Sequence, residues 1–311
     1  LIYNELVNDV FELKGKKRMK EFIGIVKPFN LPSDSGVKYY DTEIVQGGEF
    51  LTLLANAKWI AAKQLKSAML KSGDLKRSDE FMQLANDKTN GQSKKRLTQL
   101  FPDEIWNLDA TPPALEKVVL SKETPADIDL LAAIGYQFSV ALQRPANVEE
   151  NKRYLAFLKD AMKVSTPGKA LEKMLVAVLM EPDFLYRSEF GDGNKDATGR
   201  TKLTPREASY AIAYALTDSI PDAALAKAAS NNSLSTAEDY KREVTRILND
   251  NSIEKPRILR FFQDYFGYTK IFNVFKDEER FGGAYNPHRV VSTRYIYRVP
   301  GKVSAEADTF V

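Results

Sequence analysis

The chain contains no cysteine and only one histidine, His288, among its 311 residues. The first absence excludes thiolate zinc clusters, thiol nucleophiles, disulfides and a haem-attachment CxxCH, all of which need sulfur. The second means that any Ser-His-Asp arrangement has to pass through His288. Long apolar runs are also missing: stretches such as Met174–Met180 fall far short of the ~20 residues that cross a bilayer. Nor does one sign of charge dominate, because 45 Lys and Arg stand against 42 Asp and Glu, a formal net charge of +3. That balance does not advertise a polyanionic partner. What remains is carboxylate, hydroxyl, lysine or arginine chemistry, or a protein that performs no chemistry of its own.

With 43% apolar and 28% charged residues, the composition is that of a globular chain with enough length for one large or two modest cores. Residue 1 is Leu, and no charged segment followed by an apolar stretch opens the sequence, so the chain is expected to be processed, trimmed or cut from something longer. Basic residues are densest in Lys14-Gly15-Lys16-Lys17-Arg18-Met19-Lys20. Without stacking aromatics interleaved there, that segment reads as a solvated basic turn rather than a nucleic-acid patch.

Helix signals dominate. Thr204-Pro205-Arg206-Glu207 has the form of a capping box with proline at the first helical position, followed by Ala208, Ala211, Ile212, Ala215 and Leu216 as one stripe. Ser235-Thr236-Ala237-Glu238 and Asn147-Val148-Glu149-Glu150 repeat the device, and Thr124-Pro125 and Thr166-Pro167 set a cap and its proline before further periodic runs. From Glu49 to Lys71, Phe50, Leu54, Ala57, Ala61, Leu65 and Ala68 make a long face that Gly73 would end, and Asn4 to Leu13 is a shorter amphipathic candidate. Phe22–Val26 reads as an extended piece, and Thr293–Val299 alternates like a strand before Pro300-Gly301. The sequence therefore predicts an all-α chain of multi-helical, bundle-like modules, with a short irregular or extended segment near 293–300. Its expected divisions are a helical module over 1–72, a linker-like segment over 73–123, a helical companion domain over 124–190 and a main helical domain over 203–311.

Several residues invite a functional reading. Phe261, Phe262, Tyr265, Phe266 and Tyr268, with Phe272 and Phe275 beyond them, could form a platform for a sugar ring or a haem edge; the same density at helical spacing is also what a packed core shows. His288 is the default base or axial ligand if one is needed, and equally a hydrogen-bonded surface histidine. Glu181, Asp183 and Glu189 would suit paired-carboxylate glycosidase work only if two of them faced one cleft, and otherwise decorate a helix end. Asp277, Glu278 and Glu279 beside Arg280, and Asp192 with Asn194 among glycines, are weak calcium patterns.

The stretch Leu203-Thr204-Pro205-Arg206-Glu207-Ala208-Ser209-Tyr210-Ala211-Ile212-Ala213-Tyr214-Ala215-Leu216-Thr217-Asp218-Ser219-Ile220-Pro221-Asp222 resembles a helix and "(S/D)-x-P-D" turn found in large secreted multidomain proteins. Those proteins are abundant in Planctomycetes, occur in some myxobacteria and Verrucomicrobia, and are assembled from domains of unknown function, often with cytochrome-c-like modules on the same polypeptide. Leu225–Leu234, Arg246–Asp250 and Arg260–Tyr268 follow the same pattern in order. Leu142-Gln143-Arg144-Pro145 and Glu181–Glu189 are similar to the companion domain that precedes it, and residues 1 to about 70 are more faintly similar to a short module nearer the start. Here residues 293–304 intervene between a segment like Asn286–Ser292 and a helix start like Ala305–Asp308, and further domains would follow Val311.

The resemblance carries no catalytic set. It implies a helical fold, a periplasmic, cell-envelope or extracellular location, and haem-bearing or carbohydrate-binding modules outside these residues. The expected function is an extracytoplasmic helical scaffold or interaction module of a larger protein, non-catalytic by its own residues. No cofactor is expected within the chain, with haem on neighbouring sequence or a partner. The expected partners are other domains of the same polypeptide or proteins of an envelope assembly, with neither nucleic acid nor a membrane span. The alternatives are an accessory part of a c-type-cytochrome electron-transfer assembly and a carboxylate-based enzyme acting on polysaccharide.

Overall fold

In the computed structural model, residues 2–11, 13, 19, 22, 24–26, 47–87, 91–101, 111–186, 189–269 and 305–310 are described. The chain is all-α. Among the described residues no strand forms, and the single antiparallel bridge pairs Lys195 with Thr201 across an exposed loop. No helix among them is long and apolar enough to cross a membrane. The segment near 293–300 lies outside the described residues. The chain divides into two compact units, residues 1–187 and 188–311.

The first unit holds α1 (Ile2–Val10), α2 (Gly47–Ser72), α3 (Asp79–Asn86), α4 (Gly91–Leu100), α5 (Pro113–Val119), α6 (Asp127–Ala141), α7 (Val148–Met162), α8 (Pro167–Leu179) and the one-turn α9 (Pro182–Leu185). Its centre is α2, which packs against α8, α5 and α1. Ala57, Ile60, Ala61, Leu65 and Ala68 of α2 meet a core that includes Leu171, Met174, Leu175, Val178 and Leu179 of α8 and Leu130, Ile134 and Phe138 of α6, all fully buried. Each large aliphatic side chain so buried contributes about 1.5–3 kcal/mol. Small residues on α2 let neighbouring backbones come close, whereas Phe50, expected on the same buried face, is half exposed at the helix's first turn. Gly73 ends α2 at φ +86°, and the Leu75 amide turns back onto the Met69 carbonyl at 3.0 Å.

Among the described residues Met19, Phe22 and Val26 join no ladder; asparagine side chains hold them instead. The Asn56 amide accepts from the Val26 N–H at 2.7 Å and donates to the Val26 carbonyl at 2.9 Å. Asn8 does the same for Met19, at 2.8 and 2.7 Å, and Asn4 accepts from the Phe22 amide at 3.1 Å. A carboxamide presents an N–H and a carbonyl in the geometry of a peptide, so Asn56 and Asn8 each pair both backbone groups of one residue, while residues 24–25, expected as part of an extended piece, form a turn in which the Ile25 amide donates to the Phe22 carbonyl at 3.0 Å. Gly24 sits so close to the Trp59 indole that a Cβ there would fall 1.8 Å from Nε1.

The capping signals mostly form where the chemistry expects them. Thr166 accepts from the Lys169 amide with Pro167 behind it, and Asn147 and Glu150 close a reciprocal box at the head of α7. One register differs in the first unit. α6 begins at Asp127 behind Ala126, so Thr124-Pro125 precedes the helix rather than capping it. Residues 73–123, read from sequence as a linker-like mix of short helical runs and prolines, contain α3, α4 and α5: Ser78 accepts from the Phe81 amide to start α3, and Pro113 occupies the first turn of α5. Phe81 meets Phe101 edge-on at 5.4 Å, which closes the α3–α4 pair.

The second unit holds α10 (Pro205–Thr217), α11 (Ala223–Ser230), α12 (Ala237–Asn249) and α13 (Pro256–Phe266), with a further helical turn over 305–308. Thr204 and Glu207 form their box. The box of α12 is Thr236 with Asp239, one residue later than Ser235 with Glu238, because the Asp239 carboxylate reaches back to both the Ser235 and Thr236 amides. Ala208 and Ala213 of α10 join Leu225, Leu234 and Ile247 in the core, with Ile212 and Leu216 against them, while Ala215, expected on the stripe, is exposed.

Candidate functional site

The turn expected to carry the family likeness is built around two aspartates. Asp218 takes the left-handed conformation at the end of α10, φ +57°, and pairs with Arg260 at 3.2 Å and Arg257 at 3.8 Å. Asp222 caps α11 by accepting from the Leu225 amide at 2.7 Å, and it receives both terminal nitrogens of Arg246 at 2.9 and 3.0 Å. Burial alone would raise the Asp222 pKa; the Arg246 guanidinium and the Leu225 amide outweigh it and hold the carboxyl below its ordinary value. One residue therefore ends a loop, starts a helix and ties α11 to α12.

These contacts position α13. Pro256 opens it, the Lys255 ammonium pins the preceding turn by donating to the Asp250 and Ile253 carbonyls at 2.7 and 2.9 Å, and Gly267 closes it at φ +64°. α13 packs on α10. Ile258, Leu259, Phe262 and Gln263 are partly covered, whereas Phe261, Tyr265 and Phe266 stay 60%, 72% and 65% exposed.

The rings are ordered against one another. Phe261 and Tyr265 lie near-parallel with centroids 5.8 Å apart, as do Phe262 and Phe266 at 6.0 Å. Across the pairs the contacts turn edge-to-face, Phe261 with Phe262 at 5.3 Å and Tyr265 with Phe266 at 5.0 Å. Spacing of four residues stacks rings along a helix and adjacent residues splay them, so the sequence FF-x-x-YF produces a herringbone of four. Tyr268 is not part of it. Its hydroxyl donates to Asp308 at 2.6 Å, beside Gln263 at 3.0 Å, fastening the 305–308 turn. Desolvation and then the Asp308 carboxylate push the Tyr268 phenol up to about 12.

The carboxylates considered for hydrolysis are engaged otherwise. Glu181 accepts from the Tyr154 hydroxyl at 2.5 Å and from Arg153 at 2.6 Å. Asp183 accepts from Arg144 Nε at 2.9 Å, and the two terminal nitrogens of the same arginine grip Glu150 at 2.8 and 2.7 Å. That grip, against the opposing effect of burial, holds Glu150 below its ordinary range and raises Arg144. Burial, reinforced by Glu181, raises the Tyr154 phenol. Glu189 belongs to the second unit. The arginine of Gln143-Arg144-Pro145, which carried only the family likeness in the sequence, is thus the clamp between the heads of α7 and α9. A lone arginine beside a proline gives no sign of this from sequence.

Asp192 accepts from the Asn194 amide at 3.0 Å, and Asp196 from the Thr198 and Arg200 amides at 2.8 and 2.9 Å, so these side chains close turns. The Thr198 hydroxyl, then the Arg200 amide, lower Asp196 to about 2. Among the described residues no group of three or more His, Asp or Glu is placed to hold a metal ion. His288, Phe272, Phe275 and Asp277 to Arg280 lie outside the described residues.

Residues 203–294 match a family model described as "Protein of unknown function (DUF1592)". The matched span contains α10 to α13 and hence both the Asp218–Asp222 turn and the aromatic herringbone. No curated protein and no solved structure matches the chain.

Proposed function

We propose that the chain is a helical interaction module of a larger extracytoplasmic protein, and that it presents the aromatic face of α13 to a protein partner. The observation that carries this reading is the exposure of Phe261, Tyr265 and Phe266 on a helix whose other contacts are satisfied by α10 and Asp218. Large apolar rings left in water forgo about 1.5–3 kcal/mol each that burial would recover, and aromatic residues are the side chains most enriched where proteins meet. The ion-paired state of Glu150, Glu181 and Asp183 supports a structural rather than a proton-transferring use of these acids. Placement outside the cytoplasm rests on the resemblance alone, as does a haem on neighbouring sequence.

A photo-reactive phenylalanine analogue at position 265, in the full-length protein in its own cells, tests the interaction. A discrete cross-linked product is expected from position 265 and not from exposed Glu238 of α12. Phe261→Ala with Phe266→Ala should abolish that product without changing the helical circular dichroism signal. Equal cross-linking from both positions, or none from 265, would overturn the reading. Fractionation of the same cells decides the location, and a Soret band in the purified full-length protein decides the haem.

A further inference from the structure

We draw no further inference here: the strongest candidate, the exposed aromatic face of α13 around Phe261, Tyr265 and Phe266, belongs to the site already described, and nothing in the structure shows what covers it.

Discussion

Glu207 has a heavier task than its place in a capping box suggests. Its carboxylate accepts from the Thr204 amide at 2.8 Å and the Thr204 hydroxyl at 2.9 Å, and also from the Phe190 and Gly191 amides at 2.8 and 3.1 Å. It therefore fastens residues 190–191 to the head of α10. Gly191 permits this with φ +76°, where a Cβ would lie 2.5 Å from the Lys202 carbonyl oxygen. Burial alone would raise the Glu207 pKa; the amide donors win and hold it below its ordinary 4.5. Because the folded-state value is the lower one, the stabilisation is complete above the unfolded pKa and is lost as pH falls through the depressed value. Glu207→Gln, which keeps only one acceptor oxygen, should cost about 1 kcal/mol at neutral pH. It should also flatten the loss of stability between about pH 5 and pH 3, read by urea denaturation at each pH. An unchanged acid slope would show that Glu207 is not the group responsible. At the next turn, Asp222→Ala removes a cap and a guanidinium partner together and should cost about 2 kcal/mol, with Asp222→Asn losing less because it still caps.

Helices α2 and α6 meet through a polar pair deep in the first core. The Gln64 Nε2 donates to Gln137 Oε1 at 2.9 Å, and both residues are fully buried. Gln64 Oε1 and Gln137 Nε2 find no partner among the described residues. Replacing one glutamine by methionine, a side chain of similar length, leaves the other amide without its bond and should cost about 1–3 kcal/mol. Replacing both removes every unsatisfied group, so the double variant should be as stable as the wild type or more so, a non-additivity that a denaturation cycle measures. Summed losses in the double variant would refute it. Nothing in the sequence announces this pair, because two glutamines 73 residues apart carry no local signal. Legibility follows the range of the interaction. Thr204 with Glu207, Asn147 with Glu150 and Thr166 with Pro167 are readable because each cap closes within three residues. The four aromatic residues of α13 are readable as a cluster, but their exposure depends on where α10 lies, so core and platform look alike in sequence.

At the scale of the whole chain, the two units are stabilised by different means, and this governs how they should come apart. The first owes its core to interlocked Leu, Ile, Met, Val and Phe side chains of α2, α5, α6 and α8. Among the described residues the second buries Ala208, Ala213, Leu225, Leu234 and Ile247, and relies more on the carboxylate tethers of Glu207, Asp222, Asp239 and Glu243. Apolar burial is indifferent to mild acid, whereas Glu207, Asp222 and Asp239 have folded-state pKa values below their ordinary ones, against Glu150 in the first unit, so the second unit loses more stabilisation as pH falls through these lowered values. Unfolding should accordingly be at least two-step, with α10 to α12 opening before α2 and α8, and the gap widening as pH falls from about 5 to about 3. Hydrogen exchange followed by mass spectrometry reads the order directly: amides of 205–249 should lose protection first, and lose more of it in acid than those of 57–69 and 170–179. Simultaneous exchange of both sets at both pH values would overturn this order.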